Sequence, residues 1–112
     1  MATKKVISVA KDFSPFPGGR YPEDGDFSAE EFRKKFLIPT IESHPNEKII
    51  LDLDGGEGYG TSFLEEAFGG LIRDGYSKED IYNTFDIKSE YKSYIRLINE
   101  YINNASQKQA FI

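Results

Sequence analysis

Residues 48–60 read KIILDLDGGEGYG, and this stretch decides the fold. Its first half is a short apolar run between turn-forming residues, which is typical of a nearly fully buried central strand in a parallel sheet. Asp52 and Asp54 then lie at the carboxyl end of that strand. The glycine-rich turn leads directly to Thr61 and Ser62. The stretch therefore predicts a strand, a turn and a helix in succession.

The helix after this turn has a clear amphipathic pattern. Ser62 and Glu65 have the spacing of a capping box, and Arg73 suits the last turn. Gly69 and Gly70 interrupt the helix at a cost of about 1 kcal/mol each relative to alanine, which predicts a backbone packed closely against them. The apolar residues recur on one helical face: they are Leu64, Ala67, Phe68, Leu71 and Ile72.

The amino-terminal part predicts a strand, a loop and a helix. Residues 5–10 alternate around β-branched side chains and predict a first strand. Residues 13–25 carry so many prolines and glycines that they predict a structured loop or hairpin. Ser28 and Glu31 form a capping box for the next helix, with a hydrophobic staple expected between Phe27 and Phe32. We expect Pro39 to kink or end that helix.

The carboxyl-terminal part predicts a short helix capped by Ser77 and Asp80, then an outer strand at residues 85–87. An amphipathic helix is expected over residues 90–104. Residues 105–112 are expected to be a flexible tail, so one domain would span residues 1–104. Strands that alternate with helices favour an α/β domain with right-handed crossovers.

Composition excludes several functional classes. The net charge is −5, so nucleic acids and anionic membranes are not expected partners. The chain has no cysteine and a single histidine, His44, which excludes thiolate chemistry and a multi-histidine zinc site. We expect no cofactor and no metal. The chain shows no signal-peptide pattern and no apolar run of about 20 residues, which favours a cytoplasmic protein.

The stretch from Ile49 to Leu64 resembles the strand, turn and helix of STAS domains, named for sulfate transporters and anti-sigma-factor antagonists. More specifically, residues 17–21, 28–32 and 59–70 are similar to the bacterial STAS-like family of unknown function. This resemblance implies a small STAS-like α/β domain with a mixed, mostly parallel sheet of about four strands and helices packed against it. It also implies a regulatory role without catalysis.

In anti-sigma-factor antagonists, the turn commonly reads Asp-Ser-Ser-Gly, and a partner kinase with the histidine-kinase-like ATPase fold phosphorylates the first serine. Here the four residues are Gly60, Thr61, Ser62 and Phe63. Thr61 takes the phospho-acceptor position, while Gly60 and Phe63 depart from the pattern. The resemblance therefore implies an ATPase partner, with phosphorylation at Thr61 or Ser62. Helix capping is the other interpretation of these two hydroxyls.

We expect the turn and the following helix to bind that partner. The candidate partner or anion contacts are Arg20, Gly58, Tyr59, Gly60, Thr61, Ser62 and Phe63. Alternatives remain open. The cleft between Arg20 and residues 55–60 could hold a small ligand or nucleotide, or serve an enzyme, although the third glycine is one place too early for a dinucleotide fingerprint. The carboxylates around the turn could bind magnesium, and the chain could act only in assembly.

Overall fold

Three short parallel strands form the sheet in a computed structural model that describes residues 5–110. They are β1 (Val6–Ser8), β2 (Ile49–Asp52) and β3 (Phe85–Lys88), with β2 in the centre. Ile7 lies opposite Leu51, which lies opposite Ile87. The expected central strand is confirmed. The expectation of four strands in a mixed sheet is not met, because the described residues contain three strands and all pair in parallel.

The first strand is shorter than predicted because the chain coils immediately after it. Residues Val9–Phe13 form one wide helical turn, and the Ser8 hydroxyl caps this turn by accepting the Lys11 N–H at 3.2 Å. The turn closes with a hydrogen bond from the Ser14 N–H to the Val9 carbonyl at 2.8 Å. Val9, the last β-branched residue of the predicted strand, therefore lies in this turn, one residue beyond the end of β1.

The loop between β1 and the first helix folds back onto the start of that helix. It contains a single 3₁₀ turn, Pro22–Asp24, and no strand, so it is not a hairpin. Three backbone bonds hold it: Gly18 donates to Phe27 at 3.1 Å, Ala29 to Gly19 at 3.0 Å, and Glu30 to Arg20 at 2.9 Å. The sharp reversal relies on Gly19, whose φ of 73° is left-handed.

The first helix, α1, runs without a break through Ala29–Phe32, Arg33–Leu37 and Ile38–Glu42, and its middle segment is wound as a π-helix. Ser28 caps it by accepting the Glu31 N–H at 3.2 Å, but the predicted capping box is only half formed, because the Glu31 carboxylate binds Lys35. Phe27 and Phe32 do not make the simple staple, because Phe13 lies between them, with ring centroids at 5.4 and 5.2 Å. Pro39 does not end α1. It follows the wide turn, where its missing N–H is tolerated.

The second helix, α2, is also continuous, through Thr61–Leu64, Glu65–Gly69 and Gly70–Arg73, again with a π-wound middle segment. The third, α3 (Lys78–Thr84), begins with the complete capping box that the sequence predicts between Ser77 and Asp80.

The fourth helix, α4 (Lys92–Ala110), extends six residues beyond the predicted end. Ala105 is buried and belongs to the core, so apolar packing continues the helix through residues 105–110 of the segment expected to be a tail. Residues 111 and 112 of that segment lie outside the described residues.

One apolar core joins the central strand to all four helices. Leu51 and Leu53 contribute from β2 and the residue after it, and they pack with buried side chains of the helices such as Phe32, Phe68 and Ile98. Helix α4 packs along α2. Among residues 5–110, no helix is both long and apolar enough to cross a membrane.

Candidate functional site

The glycine-rich turn, residues 55–60, follows the carboxyl end of β2 and is fastened to the neighbouring loop. The Glu57 N–H donates to the Pro15 carbonyl at 2.9 Å. Gly56 packs so closely on the same residue that a Cβ there would lie 2.8 Å from the Pro15 carbonyl oxygen. A side chain at position 56 would therefore push the two loops apart.

Tyr59 and Tyr94 hold the second half of the turn. The Tyr59 hydroxyl donates to the Leu53 carbonyl at 2.7 Å, and its N–H donates to the Tyr94 hydroxyl at 3.3 Å. Burial, with the neighbouring Tyr94, raises the pKa of Tyr59. Gly58 has a φ of 118°, and a Cβ there would lie 2.9 Å from the Tyr94 hydroxyl. The turn is thus fixed at three points by groups from other segments.

The aspartates beside the turn have structural partners. Asp54 accepts the Glu90 N–H with both carboxylate oxygens, at 2.9 and 3.1 Å, and the Ser89 hydroxyl at 3.1 Å. Asp52 accepts the Asp54 N–H at 2.9 Å. These bonds tie the turn to the start of α4. Within residues 5–110, no three carboxylate or histidine side chains are grouped as a metal site.

Thr61 and Ser62 form the first turn of α2, and both are exposed. The predicted capping box of Ser62 with Glu65 is wrong, because α2 begins two residues earlier, with Gly60 as its N-cap and no side chain capping it. Ser62 is therefore already inside the helix, and the Glu65 side chain points to arginines instead. Neither hydroxyl has the capping role that the sequence favoured.

Glu65 lies between two arginines. Arg20 Nη1 donates to Glu65 Oε1 at 2.6 Å, and Arg73 Nη1 donates to Glu65 Oε2 at 2.8 Å. Burial alone would raise the pKa of Glu65, but the hydrogen bonds from Arg73 and Arg20 outweigh it and hold this pKa below its ordinary value. The same bonds raise the pKa of both arginines. Arg20 is thus a link between its loop and α2.

A buried ion pair continues this network. Arg33 and Glu66 are each only 5% exposed. Arg33 Nη1 donates to Glu66 Oε2 at 2.8 Å and to the Glu66 carbonyl at 2.6 Å, while Nε donates to Asp74 Oδ2 at 2.9 Å. Glu66 Oε1 also faces Arg73 Nη2 at 3.2 Å. Buried charges are tolerated because each has a partner.

The glycine pair in α2 accommodates this network. A Cβ at Gly70 would collide with the Arg33 guanidinium, and one at Gly69 would collide with the Glu65 carboxylate. The close packing predicted at these glycines is confirmed, but the groups that approach are charged side chains rather than a backbone. The charge network of Arg33, Arg73 and Glu66 was not predicted from the sequence, and the glycine pair was the signal that could have led to it.

Comparison with known families gives one match. Residues 28–94 match the model of the STAS-like domain of unknown function (DUF4325). The chain belongs to this family. No curated protein and no solved structure matches the chain. The resemblance inferred from the sequence is therefore confirmed at the level of the family.

The matched segment begins at the N-cap of α1 and ends in the first turn of α4. It includes the turn, Thr61 and Ser62, and the buried pair of Arg33 with Glu66, whereas Arg20 and its loop lie outside it.

The structure also explains why phenylalanine stands at position 63, where anti-sigma-factor antagonists have glycine. The Phe63 ring is 2% exposed and lies between Tyr59 and Phe32, with ring centroids at 5.8 and 6.0 Å. It belongs to a continuous row of aromatic rings that runs from Tyr91 and Tyr94, through Tyr59 and Phe63, to α1. Phe63 therefore anchors the first turn of α2 in the core and is not itself a contact surface.

Proposed function

We propose that this STAS-like domain is a regulatory protein-interaction module without catalysis, and that it docks a protein partner through the glycine-rich turn and the first turn of α2. The observation that carries the proposal is the state of Thr61 and Ser62. Both are exposed at a helix amino end that no side chain caps. Hydroxyls that are not needed for folding are free to serve recognition.

Rigidity of the surrounding turn supports the same proposal. Pro15, Tyr94 and the Leu53 carbonyl hold the turn, and Phe63 fixes the first turn of α2 in the core. A surface that is already ordered loses little conformational entropy when a partner binds. The turn and the helix start therefore form a pre-organised docking element.

The proposed partner is an ATPase of the histidine-kinase-like fold, on the strength of the likeness to anti-sigma-factor antagonists. Thr61 is the proposed phospho-acceptor, with Ser62 as the second. A phosphate there would meet the positive end of the helix dipole. Thr61 also lies one helical turn before Glu65, and like charges at this spacing repel each other. Phosphorylation would thus recruit Arg20 toward the phosphate or weaken its link to Glu65, and change the docking surface.

A nucleotide in the cleft between Arg20 and the turn is less well supported. Two of the N–H groups that the turn could offer to a phosphate, those of Glu57 and Tyr59, already donate to Pro15 and Tyr94. The Arg20 guanidinium is neutralised by Glu65 and Glu66, at 2.6 and 3.5 Å. These interactions leave the turn little capacity to cradle an anion.

Two open grooves among the described residues lie away from this turn. One, of about 550 Å³, lies between the end of α2 and the last turns of α4. The other, of about 880 Å³, lies at the amino edge of the sheet, beside the start of β1 and β2. Neither groove is lined by the turn or by Arg20, so neither supports a ligand at the proposed docking element.

Co-purification from the native host tests the docking proposal. The variant Ser62→Arg places a bulky cation on the docking element, and Asn46→Arg places the same group at the opposite, exposed edge. We expect the Ser62 variant to lose an ATPase that both wild type and the Asn46 variant retain. Retention by all three proteins, or equal loss from both variants, would contradict docking at this element.

Two further measurements test phosphorylation at Thr61 and the alternative of a nucleotide bound in the cleft beside Arg20. Intact mass spectra of the protein from its host should show a phosphate that Thr61→Ala removes. Absence of any phosphate under every growth condition would overturn the proposed phosphorylation. A thermal-shift panel of nucleotides should give no stabilisation. A ligand at 100 times its dissociation constant stabilises a protein by about 2.7 kcal/mol, so a bound nucleotide would be evident and would favour the cleft instead.

A further inference from the structure

Large aromatic side chains are exposed at one edge of the molecule. Within residues 5–110, five large hydrophobic side chains are exposed, and four of them are aromatic: Phe16, Tyr21, Phe27 and Tyr91. Phe16 is 65% exposed and Tyr91 is 60% exposed. Side chains of this kind are enriched where proteins bind one another.

The four aromatic residues share the carboxyl edge of the sheet. In a parallel sheet, every loop from a strand to the next helix lies at this edge, and these residues occupy the loop after β1 and the loop after β3. Contacts join both loops to the central turn. Pro15, next to Phe16, packs on Gly56, and Tyr91 packs on Tyr94, which holds Tyr59. We call this surface the aromatic edge.

The net charge of the protein is concentrated on the same edge. Its three loops with the adjacent strand ends, residues 11–26, 52–60 and 88–92, carry eight carboxylates and four basic side chains, whereas the rest of the chain carries eleven carboxylates and ten basic side chains. These segments therefore carry a net charge of −4, out of −5 for the whole chain. Two of the four cations have intramolecular partners, since Arg20 pairs with Glu65 and Lys88 with Asp86.

We propose that the aromatic edge docks a cationic, arginine-rich surface of a protein partner. This inference rests on the proposed function and adds the chemistry of the partner. A guanidinium stacks on phenylalanine and tyrosine rings, and its fork of donors matches carboxylates. The edge presents both groups side by side, with Phe16 next to the turn that carries Glu57, and Tyr91 next to Glu90.

The other classes of occupant fit the edge poorly. Nucleic acids and anionic lipid surfaces carry the same sign of charge as the edge. A second copy of this chain brings the same acidic edge, and its remaining segments carry nearly equal numbers of acidic and basic side chains, so charge does not favour self-association. A basic protein surface is the occupant that both the rings and the carboxylates favour.

A nona-arginine peptide is the probe, and its affinity is measured by fluorescence anisotropy at low and at physiological salt. Glu57→Lys should weaken binding on the order of tenfold at low salt, because an attraction becomes a repulsion. Glu47→Lys makes the same change of charge at the exposed opposite edge and should leave the affinity within about twofold. Equal weakening by both variants, or no binding to wild type, would overturn the proposal.

The aromatic contribution is tested at constant charge. The double variant Phe16→Ala, Tyr91→Ala should lower the affinity for the peptide about two- to fivefold for each ring removed. Val6→Ala, which truncates an exposed apolar side chain elsewhere, should leave the affinity unchanged. Amide shifts in NMR spectra should cluster in the loops after β1, β2 and β3. Shifts spread over the surface, or an unchanged affinity of the double variant, would contradict docking at the aromatic edge.

The partner from the native host separates this inference from the proposed function. If an ATPase is captured by wild type and lost by Ser62→Arg, the docking role stands. Its affinity should then fall with salt and with Glu57→Lys. If the affinity of a captured partner changes with neither salt nor Glu57→Lys, the inference of a cationic partner surface is overturned, while the docking role stands. If no partner is lost by Ser62→Arg, the docking role itself fails.

Discussion

Two glycine-rich places in the same strand-turn-helix unit perform different tasks. In the turn of residues 55–60, the glycines allow positive φ and close approach of a neighbouring backbone, and uncharged groups hold the turn. In α2, Gly69 and Gly70 have ordinary helical geometry and leave space for the Glu65 and Arg33 side chains. A glycine in a regular helix can therefore indicate a buried charge network as well as a packed backbone.

The largest effect is expected at the helix network. Arg33→Leu leaves the buried Glu66 carboxylate without its closest partner and should lower the free energy of unfolding by about 3–5 kcal/mol. Urea unfolding followed by circular dichroism measures this. Lys34→Leu, which breaks only an exposed pair with Glu30, should change it by less than about 0.5 kcal/mol. A small loss in the Arg33 variant would mean that the network contributes little to the fold.

The double variant Arg33→Leu, Glu66→Leu sharpens this result. Replacing both charges by apolar groups removes the unpaired carboxylate, so we expect it to recover most of the stability lost in the single variant. Failure to recover would show that Asp74 and the Glu66 carbonyl, which also accept from Arg33, matter more than the ion pair itself.

Gly58→Ala in the turn should lower the free energy of unfolding by about 1–3 kcal/mol, because alanine is strained at a φ of 118° and its Cβ would collide with the Tyr94 hydroxyl. Gly75→Ala is the matched control. Its φ is 106°, but no neighbouring atom lies near the position of a Cβ. The difference between the two variants measures the collision alone. If the collision occurs, adding Tyr94→Phe to the Gly58→Ala variant removes the colliding hydroxyl and should recover part of the lost stability in a thermal melt.

A smaller effect concerns the pH dependence at Glu65. Its pKa is lower in the folded state than the ordinary value of 4.5, so its stabilising effect is complete above that value and is lost as the pH falls through the folded pKa. Glu65→Gln should cost about 1 kcal/mol or less at neutral pH. The stabilities of wild type and variant should converge below pH 4.5. A gap that persists in acid would show that the side chain acts through packing rather than charge.

The sequence predicted what depends on local periodicity. The central strand, the start of α1 at Ser28 and the capping box of α3 all follow from residues close together in the chain. It failed where distant residues decide. Arg33 and Glu66 are 33 positions apart, and Pro15 reaches Glu57 from another loop. The end of α4 was placed too early because the packing of Ala105 depends on tertiary contacts.

The candidate site shows the same division. The positions of Thr61 and Ser62 at a helix start were predictable from the strand and the turn. Their lack of a capping role was not, because the sequence pattern placed the N-cap at Ser62, whereas α2 begins two residues earlier. Arg20 was predicted as a partner or anion contact, and its pairing with two carboxylates 45 and 46 positions further along the chain could not be predicted from local sequence.

The smallest expected effect tests whether Gly60 is the N-cap of α2. A Cβ at Gly60 would meet no neighbouring atom, so Gly60→Asp introduces the residue of anti-sigma-factor antagonists without a collision. As the N-cap, aspartate should accept a free N–H of the first turn and raise the free energy of unfolding by a few tenths of 1 kcal/mol, whereas Gly60→Ala should lower it. Urea unfolding of the two variants beside wild type resolves this order. The reverse order would place the N-cap elsewhere. Thr61 or Ser62 would then be engaged in capping, and the observation that carries the docking proposal would be lost.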